Sequence, residues 1–147
     1  MFKHLRMIGL AALLLIGFGA VFAQDDAAEA EPDVTFRLTT ALSPAEGVTF
    51  GFVGLDGDLE GVVNPDLVVK VGDVVRVVLV NAPADPMEHD FVIDEFDVHS
   101  DVLPSEGEEG LEVSVTFTVT EAGEFQYYCS LPGHVQGGMF GKFIVEE

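Results

Sequence analysis

The sequence predicts an all-β domain, a Greek-key sandwich of two sheets with about eight strands. From Val34 onward, apolar and polar residues alternate with a period of two, as they do in strands that bury one face. Gly, Pro, Asn and Asp separate these segments at short intervals, and no segment keeps a helical period over three turns. Short strands at this spacing are typical of a β-sandwich.

The clearest predicted strand is LEVSVTFTV, residues 111–119. Because successive side chains of a strand point to opposite faces, its polar residues should meet water and its apolar residues the core. The predicted core residues are Leu111, Val113, Val115, Phe117 and Val119. Seven further strands are predicted, namely VTFRL from Val34, VTFGFVG from Val48, LVVKV from Leu67, VVRVVLV from Val74, HDFVI from His89, FQYYC from Phe125 and GKFIV from Gly141.

Turns are expected between these strands, wherever residues that favour turns come together. Segment 92–110 is long for a connection, and we expect it to contain a short helix or an irregular loop. The predicted turns are Ser43-Pro44, Asp56-Gly57, Asn64-Pro65, Gly72-Asp73, residues 83–86, residues 105–110 and Ala122-Gly123.

Residues 1–23 are predicted to be an export signal. Two cations precede an apolar run over residues 7–23, and small residues before Gln24 suit a signal-peptidase site. A run of 17 residues is also at the lower limit for crossing a bilayer, so an uncleaved membrane anchor remains the alternative. We therefore expect an exported protein, periplasmic or extracellular, that is tethered to a membrane if the segment is retained.

The remainder is expected to form a short tether and one domain. Residues 24–32, QDDAAEAEP, are acidic and rich in small residues without an apolar period, which predicts a disordered tether. Residues 33–147 then form a single folded domain, which we expect to be a monomer.

The charge of the chain limits its partners. The formal net charge is −20, and removal of residues 1–23 would leave 4 Lys and Arg against 26 Asp and Glu, a net charge of −22. We do not expect this protein to bind nucleic acid, because phosphate recognition needs clustered cations. A basic protein partner or a high-salt environment suits this acidic surface, and solubility alone is the simpler alternative.

Cys129 is the one cysteine of the sequence, so no intramolecular disulfide can form. Many small exported domains depend on disulfides, and a lone thiol in such a protein requires another explanation. By itself it could be a buried apolar residue, a reactive nucleophile, an intermolecular crosslink or a metal ligand.

Its neighbours favour the metal ligand. Cys129 ends a predicted strand, His134 follows five residues later and Met139 another five later, in a loop rich in Gly and Pro. His89 stands forty residues upstream, at the start of a predicted strand. Taken singly, each could be a core or loop residue. Together, two imidazoles, a thiolate and a thioether form the ligand set of an electron-transfer copper site, whereas zinc prefers four strong ligands.

The segments NPDLVVKVGDVVRVVLVN, EHDFVI and YYCSLPGHVQGGMFGKFIV resemble the cupredoxins, the small blue copper proteins. The CSLPGH stretch is similar to that of azurin, and the full ligand spacing resembles auracyanin and rusticyanin. The resemblance covers residues 64–145 and implies that one type 1 copper is bound by His89, Cys129, His134 and the axial Met139. It also implies single-electron transport between larger redox complexes.

The sequence differs from the usual cupredoxin pattern at one residue near the ligands, Asp90. Many cupredoxins have Asn directly after the upstream His, and its amide links the two ligand segments. A carboxylate accepts hydrogen bonds rather than donating them, so the surroundings of the copper should differ here. His99, ten residues after His89, is expected to be a surface residue.

An apolar patch is expected around His134, formed by Leu131, Pro132, Val135 and Phe140. Packing of the loop would explain these residues equally well. If the outer edge of the His134 ring projects through the patch, electrons could pass there to a transiently bound redox protein. The acidic surface would steer a basic partner such as a cytochrome.

Catalysis is not expected. In copper nitrite reductases and multicopper oxidases the blue-site Cys adjoins a His that binds a second copper, whereas Cys129 adjoins Tyr128 and Ser130. The sequence has no His-x-His pair for a trinuclear centre and too few cysteines for a dinuclear one. An electron carrier is therefore predicted, and the alternative is a protein that stores, delivers or senses copper without redox cycling.

Overall fold

The computed structural model describes residues 31–80, 82, 85–105 and 111–147. Within them the fold is the predicted all-β one, with strands β1 (Val34–Ala45), β2 (Val48–Gly54), β3 (Leu67–Lys70), β4 (Val74–Val80), β5 (Val92–Ile93), β6 (Val98–His99), β7 (Glu112–Thr118), β8 (Gly123–Tyr128) and β9 (Phe140–Glu146). Two 3-10 helices occupy Gly57–Leu59 and Asp94–Phe96.

Two parts of the predicted organisation lie outside these residues. The export signal at residues 1–23 is one, and the tether at residues 24–32 is the other, except for its last two residues. Across the described residues, no helix has both the length and the apolar character that a bilayer crossing requires.

The strands form two sheets that pack into a sandwich. A four-stranded sheet has the order β2-β1-β4-β7, and a five-stranded sheet has the order β3-β9-β8-β5-β6. The β1–β4 and β3–β9 pairs are parallel, and the other pairs are antiparallel. The chain passes from one sheet to the other five times between β2 and β8, which gives the long connections of a Greek-key sandwich.

The predicted strands are all present, and β2 and β4 have the predicted bounds. β1 is longer than predicted, because it continues through Ser43-Pro44, where a turn was expected. The pairing with β2 shifts register between Leu42 and Ala45, and Ser43 has a φ of 51°. An irregularity of this kind accommodates turn-favouring residues within a strand.

The segment after His89 differs more from its prediction. His89 forms an isolated bridge with Leu103, and regular pairing starts only at β5. The expected short helix in segment 92–110 is the 3-10 turn Asp94–Phe96. The strand β6 that follows was not predicted, and residues 106–110 lie outside the described part.

Buried side chains from both sheets form one core, which includes Cys129 and Met139. The Tyr127 ring packs against Phe52 and Phe91, and its hydroxyl donates to the Pro65 carbonyl at 2.7 Å. On β7 the expected alternation is observed, with the exception of Leu111, which is 38% exposed because it precedes the first residue of the strand. The remaining predicted core residues of this segment, Val113, Val115, Phe117 and Val119, belong to the core or pack against it.

Candidate metal centre

The structure brings together three of the four predicted donors. One donor atom each from His89, Cys129 and His134 lies within 4.8 Å of the others. The Cys129 Sγ atom is 3.2 Å from His134 Nδ1 and 4.0 Å from His89 Nδ1. All three side chains are buried, so a compact and dry group of two imidazoles and a thiol is formed.

Met139 is fixed beside this group through its backbone. Its N–H donates to the His134 carbonyl at 3.0 Å, and its own carbonyl accepts from the Cys129 N–H at 3.2 Å. The Met139 side chain is completely buried. The three downstream donors are therefore held in one folded loop, residues 129–139, which we call the ligand loop.

The ligand loop is docked on the start of β2. The Gly137 carbonyl accepts from Thr49 N–H at 2.7 Å and from Phe50 N–H at 3.2 Å. The Phe50 ring stacks on His134, with centroids 4.7 Å apart and planes at 24°. A Cβ at residue 137 would collide with Phe50, so Gly at this position permits the stacking.

Asn64 joins the ligand loop to β2. Its backbone N–H donates to the Phe52 carbonyl at 2.7 Å, and its side-chain oxygen accepts from the Phe52 N–H at 3.0 Å. Its side-chain amide donates to the Gly138 carbonyl at 2.8 Å. Asn64 has a φ of 48° and Gly138 a φ of 95°, left-handed conformations that Asn and Gly adopt most readily.

His89 belongs to a second region, residues 85–103, which we call the upstream segment. The His89 N–H donates to the Leu103 carbonyl at 3.0 Å, and the Leu103 N–H donates to the His89 carbonyl at 2.6 Å. On the side of the ring away from Cys129, the Nε2 atom is 2.9 Å from Oδ2 of the buried Asp85. The ring is therefore fixed both by its backbone and by a carboxylate.

Asp90 connects the two regions as an acceptor. Its Oδ1 accepts from the Ser130 N–H at 2.6 Å, and its Oδ2 accepts from the Ser130 hydroxyl at 2.5 Å. The His99 Nε2 atom is 2.9 Å from the same Oδ2. The carboxylate thus links the upstream segment to the ligand loop by accepting hydrogen bonds from Ser130. This agrees with the expectation that a carboxylate accepts hydrogen bonds rather than donating them. His99 is exposed, as predicted, with 60% of its side chain accessible, yet it contacts this buried group.

Burial changes the protonation of the donor side chains. It lowers the pKa of His89 and of His134, so both imidazoles are neutral at pH 7. It raises the pKa of the Cys129 thiol to about 11, so the metal-free thiol keeps its proton. Burial alone would also raise the pKa of Asp90, but the hydrogen bonds from Ser130 and His99 hold that pKa below its usual value.

The expected apolar patch exists only in part. Phe140 is 44% exposed and Pro132 is also exposed, whereas Leu131 and Val135 are half-buried. His134 has only 2% of its surface accessible, so its ring does not protrude beyond the patch, although it lines an open surface pocket together with Leu131 and Pro132. The ring is covered because Phe50 stacks on it and the His89 ring lies 4.9 Å away between centroids.

Several residues around the donors had no signal strong enough to identify them from sequence. Asp85 stands four residues before His89 in a stretch that reads as a turn, and Phe50 reads as an ordinary strand residue. Asn64 was identified only as a turn residue. A carboxylate near a ligand imidazole is a common arrangement, but sequence spacing alone does not specify it.

The donors present fit a type 1 copper site, because such a site combines two imidazoles and a thiolate with a weak axial thioether. Comparison with known proteins agrees with this chemistry. The model of the plastocyanin/azurin family of copper-binding proteins matches residues 62–146. The chain belongs to this family of blue copper proteins, the cupredoxins, and its cofactor is one copper ion of type 1.

Solved structures and curated proteins give further similarities. Auracyanin B is 21% identical, with a TM-score of 0.54 over 81% of this chain and 93% of that chain. Rusticyanin from Thiobacillus ferrooxidans is 24% identical, with a TM-score of 0.52 over 80% and 85%. These two likenesses support the fold. A copper-containing nitrite reductase from Cereibacter sphaeroides is 32% identical over 99 residues, 61% of this chain, and the match spans only 25% of that enzyme.

Proposed function

We propose that this protein carries single electrons on one copper ion bound by His89, Cys129, His134 and Met139. The observation that carries the proposal is the convergence of two imidazole nitrogens and the Cys129 sulfur within 4.8 Å. Bound copper would supply the one-electron couple between Cu(II) and Cu(I). The protein would supply the ligands, their orientation and the exclusion of water.

The way in which the donors are held supports an electron carrier. The ligand loop is fixed by backbone hydrogen bonds to β2 and between its own ends, and His89 is fixed by Leu103. Thiolate and thioether suit Cu(I), while imidazole suits both oxidation states. Rigid donors that favour neither state fully would keep rearrangement on electron transfer small.

An electron carrier is supported over an enzyme by the residue directly before Cys129. In that position stands Tyr128, whose hydroxyl donates to the Asp94 carboxylate, at 2.9 and 3.0 Å from its two oxygens. No imidazole is therefore available there for a second copper next to the blue site. The similarity to nitrite reductases involves only a quarter of their length, which corresponds to a shared copper domain.

We also propose where the protein acts and with which partners. Residues 1–23 would direct export to the periplasm or the exterior, with residues 33–147 as the working domain. The net charge of −20 favours a basic redox protein such as a cytochrome, and no nucleic acid partner is proposed. The mass of the protein recovered from the producing cell would distinguish a cleaved signal from a retained anchor.

The direct test is spectroscopy of the copper(II)-loaded protein. We expect strong visible absorption from thiolate charge transfer, reversible bleaching by a reductant, and the narrow copper hyperfine splitting of a type 1 site in the paramagnetic-resonance spectrum. The Cys129→Ser variant should lose the colour. A colourless complex that does not cycle would contradict electron transport and favour storage, delivery or sensing of copper.

Replacement of the axial donor provides a second test. Met139→Gln should lower the reduction potential and leave copper bound, because the amide oxygen is a harder donor than the thioether. Met87→Gln is the matched control, since Met87 is 37% exposed and is not one of the four proposed ligands. Equal potentials in the two variants would contradict Met139 as the axial ligand.

A further inference from the structure

Asp85 is a buried carboxylate with three hydrogen-bond partners. Only 5% of the residue is accessible. Its Oδ1 accepts from the Met87 N–H at 3.0 Å, and its Oδ2 accepts from the Thr40 hydroxyl at 2.8 Å. The same Oδ2 is 2.9 Å from His89 Nε2. Buried carboxylates are rarely found without such compensation, so this one occupies a site built to hold it.

The contact determines which nitrogen of His89 carries the proton. An ionised carboxylate can only accept hydrogen bonds, so Nε2 must donate to Asp85. In a neutral imidazole the other nitrogen then has a free lone pair. That nitrogen, Nδ1, is the one that faces the Cys129 sulfur at 4.0 Å. The pair therefore presents His89 to the metal centre in the tautomer that a metal ligand needs.

The charge of Asp85 also bears on the oxidation state of the centre. A negative charge stabilises Cu(II) more than Cu(I), because the oxidised ion carries one more positive charge. This interaction is stronger in a buried site than at the surface, where water screens it. A hydrogen-bonded carboxylate also makes the imidazole a better electron donor.

From these contacts we infer that Asp85 is a positioning residue of the copper centre, which fixes the His89 tautomer and lowers the reduction potential of the bound copper. The inference rests on the proposed role of His89 as a ligand. Thr40, a residue of β1, anchors the Asp85 carboxylate. The four-stranded sheet is therefore connected to the copper centre through Thr40, Asp85 and His89.

The tautomer can be tested without copper and without a variant. In a long-range proton–nitrogen NMR spectrum of the metal-free protein at pH 7, His89 should show a protonated Nε2 and an unprotonated Nδ1. In Asp85→Asn this preference for a proton on Nε2 should be lost, so that both tautomers of His89 are populated. A proton on Nδ1 in the unaltered protein would overturn the inference, whatever the redox behaviour of the copper form.

The potential is tested with a matched pair of variants. Asp85→Asn removes a buried charge with little change of shape, and Glu88→Gln removes an exposed charge that is also close to His89 in sequence. We expect Asp85→Asn to raise the Cu(I)/Cu(II) ratio at a fixed applied potential at least tenfold, which is about 59 mV for one electron. Glu88→Gln should change the ratio less than threefold.

The outcomes separate this inference from the proposed function. Equal shifts in the two variants would overturn the inference, because a general charge effect would then suffice. A copper form that does not cycle in the unaltered protein would contradict electron transport, while the metal-free NMR result would still decide the tautomer. If Asp85→Asn does not fold, the spectrum of the unaltered protein remains decisive.

Discussion

The ligand loop and the upstream segment hold their donors in different ways. In the ligand loop, backbone hydrogen bonds and Asn64 fix Cys129, His134 and Met139. In the upstream segment, the surroundings of His89 depend on two buried carboxylates, Asp85 and Asp90. The geometry of the ligand loop should therefore depend mainly on backbone and amide hydrogen bonds, whereas that of the upstream segment should depend on the charges of the two carboxylates. The following experiments test that contrast.

The largest effect should come from the thiol of the ligand loop, because it must lose its proton to bind metal. Burial raises the pKa of Cys129 to about 11 and lowers the pKa of both histidines, so binding at pH 7 should release one proton, from the thiol. Affinity for Cu(I) should rise about tenfold per pH unit between pH 7 and 9. Competition with a chelator at several pH values measures this, and a flat profile would contradict it. Cys129→Ser serves as the control without this dependence.

The next effect should come from the clamp at Asn64. Asn64→Ala removes the two side-chain hydrogen bonds, with the Phe52 N–H and the Gly138 carbonyl, and places an alanine at a φ of 48°. We expect a loss of about 2 kcal/mol in the free energy of unfolding, measured with denaturant. Asn64→Gly keeps the backbone free of strain and loses only the side-chain bonds, so it should be the less destabilised of the two. If Asn64→Gly is as unstable as Asn64→Ala, strain at this position has no measurable role.

A smaller effect is expected from the carboxylate that joins the two regions. Asp90→Asn keeps the shape and loses the charge assistance of bonds from Ser130 and His99, which should cost about 1 kcal/mol at pH 7. The pKa of Asp90 in the fold is below its usual 3.8, so its stabilisation is present above that pH and is lost as the pH falls through the lowered pKa. The difference between the two proteins should therefore shrink at pH 3. A difference independent of pH would contradict the role of the charge.

The smallest effect should come from His99, at the exposed end of the same group. Its side chain is 60% accessible, and Ser130 continues to donate to both oxygens of Asp90 when the ring is absent. His99→Gln should change the free energy of unfolding by no more than about 0.5 kcal/mol at pH 7. A loss as large as that of Asp90→Asn would show that the imidazole, rather than Ser130, is the main partner of the carboxylate.

Most strands of the fold could be predicted because local sequence patterns determine them. β2 and β4 have the predicted bounds, since each is a continuous run of strand-forming residues between turn residues. β6 has only two residues, too few to form a period, and it exists because it pairs with β5. At Ser43-Pro44 local turn preference was overridden by pairing with β2, a contact that sequence spacing does not reveal.

The donors of the candidate site were predictable for a different reason. Three of them lie within eleven residues in the sequence, where their spacing is visible. The groups around them come from distant positions, because Thr40 and Asp85 meet across a separation of 45 residues and Asn64 and Gly138 across 74. Such contacts are made by the packing of the sheets, so only the folded chain reveals them.

The coverage of His134 has a kinetic consequence. With 2% of its surface accessible and Phe50 stacked on it, the imidazole is largely covered, and it meets the solvent only at a pocket that it lines with Leu131 and Pro132. With so little of the ring accessible, electron transfer from bound copper to small oxidants in solution should be slow. If the protein exchanges electrons with a redox protein, as proposed, the rate should depend on how closely the surface of that partner packs against Pro132 and Phe140.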